Sequence, residues 1–165
     1  MHRVTPTNMQ RLLAELSARH FPNPPATPAQ LAAFELRVGW KLDEDLRAFY
    51  LHCDGATLFK PFPDANYHLL PLEQIRRAFV AMRPGDDAPF GSASWYTLVD
   101  LQDSDYVILD ITHPVNGRYP LLDAYHETFP EGVRPVAASL SDFLEKALTS
   151  DDSYFWLNFT PGRSR

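Results

Sequence analysis

The chain has 165 residues, near the size of one ordinary domain, and 45% of them are apolar and 22% charged. That mix excludes a largely disordered chain, and no apolar run approaches the roughly 20 residues of a membrane span. Cys53 is the sole cysteine, which excludes an intrachain disulfide and a cysteine-rich zinc site.

The opening residues, Met1-His2-Arg3-Val4-Thr5-Pro6, carry no apolar core of a secretion signal, so a cytoplasmic location is the default expectation. The composition predicts one domain over 1–165 without repeats, cut into short elements by 15 prolines. The first predicted helix runs from Thr7 to His20, with Met9, Leu12, Leu13 and Leu16 on one stripe. Phe21-Pro22-Asn23-Pro24-Pro25 stops it, because proline lacks the N–H and restricts the residue before it. A second helix has the signature of a capping box: Thr27 as N-cap, Pro28 at the first helical position and Gln30 three residues on. Leu31, Phe34 and Val38 form its inner side, and Gly39 suits a left-handed end. A third helix opens at Asp43-Glu44-Asp45, where carboxylates favour the positive end of the helix dipole. Leu46, Phe49, Tyr50 and Cys53 face inward along it, and Gly55 follows its end.

A loop rich in proline and aromatics spans 58–67, and His68-Leu69-Leu70-Pro71 reads as a short strand. Leu72, Ile75, Phe79 and Met82 predict a fourth helix, ended by Pro84-Gly85. The period then changes to two. Strands are predicted over 94–101, 106–112 and 119–125, the last two joined by Pro114-Val115-Asn116-Gly117, a strong hairpin signal. Trp95, Thr97, Val99 and Leu101 share one face of the first of these. A short edge strand is predicted over 133–137, where Pro135 cannot donate to a ladder. Ser139 or Ser141 caps a last helix bearing Leu140, Phe143, Leu144 and Leu148. The tail over 150–165 contains Tyr154-Phe155-Trp156-Leu157-Asn158-Phe159, too apolar to be loose, and is expected to pack on the core or on a partner. Helices, then consecutive strands, then a helix predict an α+β fold: a largely antiparallel sheet flanked by N-terminal helices and a C-terminal helix.

No catalytic constellation is legible. There is no glycine-rich phosphate loop and no Gly-x-Ser-x-Gly elbow. His52 and Cys53 are helix neighbours that point about 100° apart, so they cannot pair with each other. Asp110-x-x-His113 and Asp123-x-x-His126 flank the predicted hairpin and would hold a metal only if the register brought them together. Residues three apart in a strand face opposite sides, so no metal and no cofactor is expected.

The net charge of −6 is unevenly placed. Residues 84–133 hold nine Asp/Glu against Arg118 alone, while 1–83 and 134–165 are near balance. Such a segment argues against direct nucleic-acid binding, and it suits either a solvated acidic face or a cationic protein partner. Asp86-Asp87 and Asp103-x-Asp105 bracket Trp95-Tyr96, and aromatic anchors beside charge are what interfaces tend to contain. Alternation puts one of the two aromatics inside, with Trp95 on the apolar face. Asp86, Asp87, Trp95, Tyr96, Asp103 and Asp105 are therefore the expected partner-binding set.

The stretch from Pro25 to Gly55 resembles the opening motif of the SUKH superfamily, also called the fungal cell-wall-assembly-regulator family. Leu31, Phe34, Glu35, Gly39, Leu42, Glu44, Leu46, Phe49 and Gly55 match it. Asp43 stands where a proline is usual, and Asp54 where an asparagine is usual. Looser similarity continues through 69–72, the strand bearing Trp95, and Ser141-Asp142-Phe143-Leu144, so the resemblance spans about 25–148. It implies an α+β domain without catalytic residues. Bacterial members resemble immunity proteins that neutralise polymorphic toxins, often nucleases, and fungal ones act as interaction modules. The expectation is a non-enzymatic protein whose partner is a cognate, basic toxin, with no membrane contact. An intracellular scaffold or regulatory module related to cell-wall-assembly regulators, docking through an apolar interface for which the aromatic tail is one candidate, is the alternative. The chain is expected to be a monomer or a homodimer.

Overall fold

The computed structural model describes residues 8–85 and 91–157. Helix α1 (Asn8–Arg19) buries Met9, Leu12, Leu13 and Leu16, the stripe expected of it. Strand β1 (Phe21–Pro22) follows directly. Helix α2 (Pro28–Val38) begins with the complete capping box. The Gln30 N–H donates to the Thr27 hydroxyl at 3.1 Å, and the Thr27 N–H donates to the Gln30 side chain at 2.8 Å. The helix ends at Gly39, whose φ of 82° is left-handed. Helix α3 (Glu44–His52) starts at Asp43, whose carboxylate accepts from the Leu46 N–H at 2.8 Å.

Strands β2 (Ala56–Leu58), β3 (Tyr67–Leu69), β4 (Trp95–Asp100), β5 (Tyr106–Asp110), β6 (Leu121–Ala124) and β7 (Arg134–Ala137) complete one sheet with β1. Neighbours in sequence are neighbours in space, and each pair is antiparallel. The turn between β5 and β6 has φ of 51° at Asn116 and 74° at Gly117, the positive pair that an Asn-Gly hairpin needs. Helix α5 (Leu140–Leu148) is capped by Ser139, which accepts from the Asp142 N–H. The arrangement is mixed α+β.

Cross-strand register sorts the sheet into two faces. Ala56, Leu69, Val99 and Val107 stand side by side and join the main core with α1, α2, α3 and α5. The next row, Phe21, Thr57, His68, Asp100, Tyr106 and Ala124, points to the opposite, outer face. A smaller core of Ala78, Met82, Ile108, Leu122, Ala124 and Phe129 covers the outer face over β5 and β6.

Two expectations need correction. The predicted fourth helix is two pieces: a 3-10 turn (Leu72–Gln74) and α4 (Ala78–Met82). Between them the chain is extended, because β3 pairs with only the last part of β4. The exposed backbone of early β4 is met instead by Arg76 and Arg77: the Thr97 N–H donates to the Arg76 carbonyl at 2.8 Å, and Arg77 bridges Tyr96. Strand β4 also fails to keep one alternating face. Its register shifts between Thr97 and Val99. Trp95 and Thr97 therefore lie on the outer side, while Tyr96, Leu98, Val99 and Leu101 join the main core.

The aromatic tail packs on the core as far as Trp156, and residues 158–165 lie outside the described residues. Tyr154 meets Tyr67, and Phe155 meets Phe143, each at 5.5 Å between ring centroids. The Tyr67 hydroxyl donates to the Ser153 carbonyl at 2.5 Å, and the Tyr154 hydroxyl to the Leu101 carbonyl at 2.6 Å. No helix among the described residues is long and apolar enough to cross a membrane.

Two stability measurements check this packing. At Gly55, φ is 90° and an added Cβ would lie 2.7 Å from the Leu69 carbonyl oxygen. Gly55→Ala should cost about 2–3 kcal/mol in urea unfolding, from strain plus displaced backbone. Ending the chain at residue 150 uncovers Tyr67 and Phe143 and should cost on the order of 3–5 kcal/mol. An unchanged unfolding midpoint would show that the tail contributes nothing to the core.

Candidate partner-binding surface

The groups that could do chemistry are used inward or stand apart. Cys53 is fully buried, and burial, with the Asp54 charge second, pushes its thiol up to about 12. Such a thiol is not a nucleophile at neutral pH. His52 turns to Ser17 instead, with Oγ to Nε2 at 2.6 Å on the exposed faces of α1 and α3. Water competes for both atoms there. The two Asp-x-x-His groups do not converge. His113 folds back on Asp110 at 2.8 Å beside the hairpin turn. Asp123 stands opposite Val107, at the other end of that hairpin, and His126 is held by Asp105. No group of three or more His, Cys, Asp or Glu that could hold a metal occurs among the described residues.

The acidic segment divides between core and surface. Asp105 is buried and accepts from both the backbone N–H of His126, at 2.9 Å, and its Nδ1, at 2.8 Å. It thereby ties the β4–β5 turn to the loop after β6. Asp123 is also buried, within β6. Asp100 and Asp110 cap turns, each accepting from the backbone N–H two residues on. Asp103 is exposed. It sits in a run of three residues, Gln102, Asp103 and Ser104, all with positive φ.

Of the expected partner-binding set, Asp103 is thus a surface group and Asp105 is not. Tyr96 is buried against Trp40 at 5.2 Å, and its hydroxyl accepts from Arg77 Nε. Trp95 is half-buried against Phe129 at 6.1 Å. The inner aromatic of the pair is therefore Tyr96 rather than Trp95, because the shift in β4 exchanges the faces. Asp86 and Asp87 lie outside the described residues.

Another surface group escaped the sequence reading. Phe62, in the loop over 59–66, is 68% exposed, and its ring lies 5.1 Å from that of His68. The Pro-aromatic run around it was legible as a loop. Nothing in the sequence placed it over β3.

The motif region is built from side chains that satisfy backbone. Glu35 accepts from the Leu42 N–H at 2.8 Å, across the turn between α2 and α3. Asp54 accepts from the Leu72 N–H at 2.9 Å. Asp43 accepts from the N–H groups of Leu46 and Tyr119, at 2.8 and 2.9 Å. Burial raises its carboxyl above the usual range against those two bonds. The family model described as SMI1 / KNR4 family (SUKH-1) matches residues 25–146. The chain belongs to this family. No curated protein is similar enough to count as a match. The SUKH-1 match opens just before the Thr27 cap and closes inside α5, so α1 and the aromatic tail fall outside it. Asp43 and Asp54, which depart from the usual residues, both keep a capping or turn-closing bond in this SUKH-1 chain.

The split of the acidic segment is measurable. Asp105→Ala should cost about 2–3 kcal/mol, since a buried charged acceptor is lost and two donors lose their partner. Asp103→Asn, which keeps a residue suited to the positive φ there, should stay within about 0.5 kcal/mol of wild type. Urea unfolding of both variants checks the contrast, and equal effects would contradict the assignment.

Proposed function

We propose that this SUKH-1 chain is a non-enzymatic immunity protein that binds and neutralises a cognate toxin. Its membership of the family over 25–146 carries this reading. The toxin is a basic protein such as a nuclease, and the mechanism is stoichiometric occlusion. A protein that holds phosphate presents lysine and arginine, and an acidic inhibitor can answer that charge. The excess of carboxylates over 84–133 and the exposure of Asp103 support it. Asp86, Asp87, Trp95 and Asp103 remain the contacts proposed from the sequence; Tyr96 and Asp105 act inward. The scaffold alternative calls for an apolar interface, with the aromatic tail as one candidate. That tail is engaged by Tyr67 and Phe143 as far as Trp156, which weighs against the tail in that role.

The test is capture of a catalytically inactive toxin domain, taken from the C-terminal end of a large secreted protein encoded beside this chain. Capture should be strong at low salt and weaker at high salt. Replacing Asp86, Asp87 and Asp103 together by Asn should slow association about tenfold at low salt, with little effect on dissociation. Binding that ignores both salt and the triple substitution would overturn the charge mechanism.

A further inference from the structure

Among the described residues the outer face of the sheet is unevenly covered, although Thr57 in its β1–β3 part is buried. Over β5 and β6 it carries α4 and Phe129. Over β1 to β3 it ends in two aromatic rings open to water, Phe21 at 44% and Phe62 at 68% exposure. The Phe62 ring is tilted 57° against that of His68, and His68 stands in the cross-strand row between Thr57 and Asp100.

The β4–β5 turn is fastened to the same loop. Gln102 Nε2 donates to the Ala65 carbonyl at 2.5 Å, with the Pro63 carbonyl at 3.5 Å. Asp100 in turn accepts from the Gln102 N–H at 2.8 Å. The loop bearing Phe62 and Asp64 therefore meets the end of β4 and the turn after it, which bear Asp100 and Asp103. Asp64 and Asp103 are exposed and Asp100 is half-buried. The cations nearby are Lys60, paired with Asp152 at 3.6 Å, and Arg76, which lines the groove shared by Asp100 and Tyr106. The charge left over is negative.

We propose that this surface is the docking site for a basic segment of a protein partner, with an arginine guanidinium over the Phe62 ring and its N–H groups on the surrounding carboxylates. A ring face attracts a cation, and a planar guanidinium can stack while it donates to oxygen. Phosphate or nucleic acid would meet three carboxylates. A second copy of the chain would bring like charge against like. The inference rests on the toxin-neutralising reading only for the partner's identity.

Hexa-arginine and hexa-lysine peptides test the surface without the toxin. On titration into the full chain, hexa-arginine should shift backbone amide signals in 61–68 and 100–104, saturably, and hexa-lysine should bind several-fold more weakly. Phe62→Ala and Asp103→Lys should each abolish the shifts, while unchanged signals elsewhere show that both variants are folded. Shifts absent from these loops, or persisting in both variants, overturn the proposal. So does loss of a dimer in Phe62→Ala without any response to hexa-arginine, which would make the face a contact between copies. The inactive toxin domain supplies the second arm. Capture reduced at least tenfold by Phe62→Lys is expected. Equal capture would overturn this docking site and leave the immunity reading standing. Hexa-arginine bound at the two loops with no toxin captured would do the reverse.

Discussion

The first turn of α3 ties the structure together. Asp43 and Asp45 each use both carboxylate oxygens. Asp43 caps its own helix through Leu46 and holds the Tyr119 N–H of the β5–β6 connection. Asp45 receives Arg118 Nε on one oxygen, at 3.0 Å, and the Ser141 N–H at the start of α5 on the other, at 3.1 Å. One helix end thus fixes a strand connection and a second helix, both distant in sequence. Burial of Asp43 opposes its charge, and the bonds from backbone N–H groups offset part of that cost. Either carboxylate lost would leave donors in two elements without partners.

That arrangement lets a simple meander close a large core. The strands follow one another across the sheet, so the helices must cover it from outside the strand order. Helices α1, α3 and α5 do so on the inner face, where α1 and α5 contact each other and α3 contacts both. Among the described residues the outer face over β5 and β6 is covered by the short α4 and the loop carrying Phe129. The remaining end is left to Phe62, His68 and their carboxylate neighbours. Uneven coverage is thus a consequence of connectivity, and it produces the surface proposed for a partner.

The acidic middle segment reads differently in three dimensions. As sequence, its nine carboxylates are one block of charge. In the fold, Asp105 and Asp123 are inside, and Asp100 and Asp110 hold turns. Asp103, Glu127 and Glu131 are exposed, and the Gln102 amide ties the turn bearing Asp103 to the loop bearing the exposed Asp64. A protein surface collects charge from all loops that meet there, and sequence distance does not predict that meeting.

Local interactions made much of the fold readable. The capping box at Thr27, the left-handed Gly39 and the Asn116-Gly117 hairpin each depend on residues within four positions of one another, so the sequence alone determined them, while it narrowed the cap of α5 to Ser139 or Ser141. The α+β class followed from their order. Tertiary structure decided whatever depended on a partner far along the chain. The extended break at Arg76 and Arg77 exists because β4 has backbone groups to satisfy. The shift in β4 exchanged Trp95 and Tyr96 between faces, and the tail lies half-buried against the core because Tyr67 and Phe143 offered rings to cover. Phe62 belonged to this second class too. An exposed ring and a buried one look alike in sequence, since burial is set by which strands and helices arrive over it.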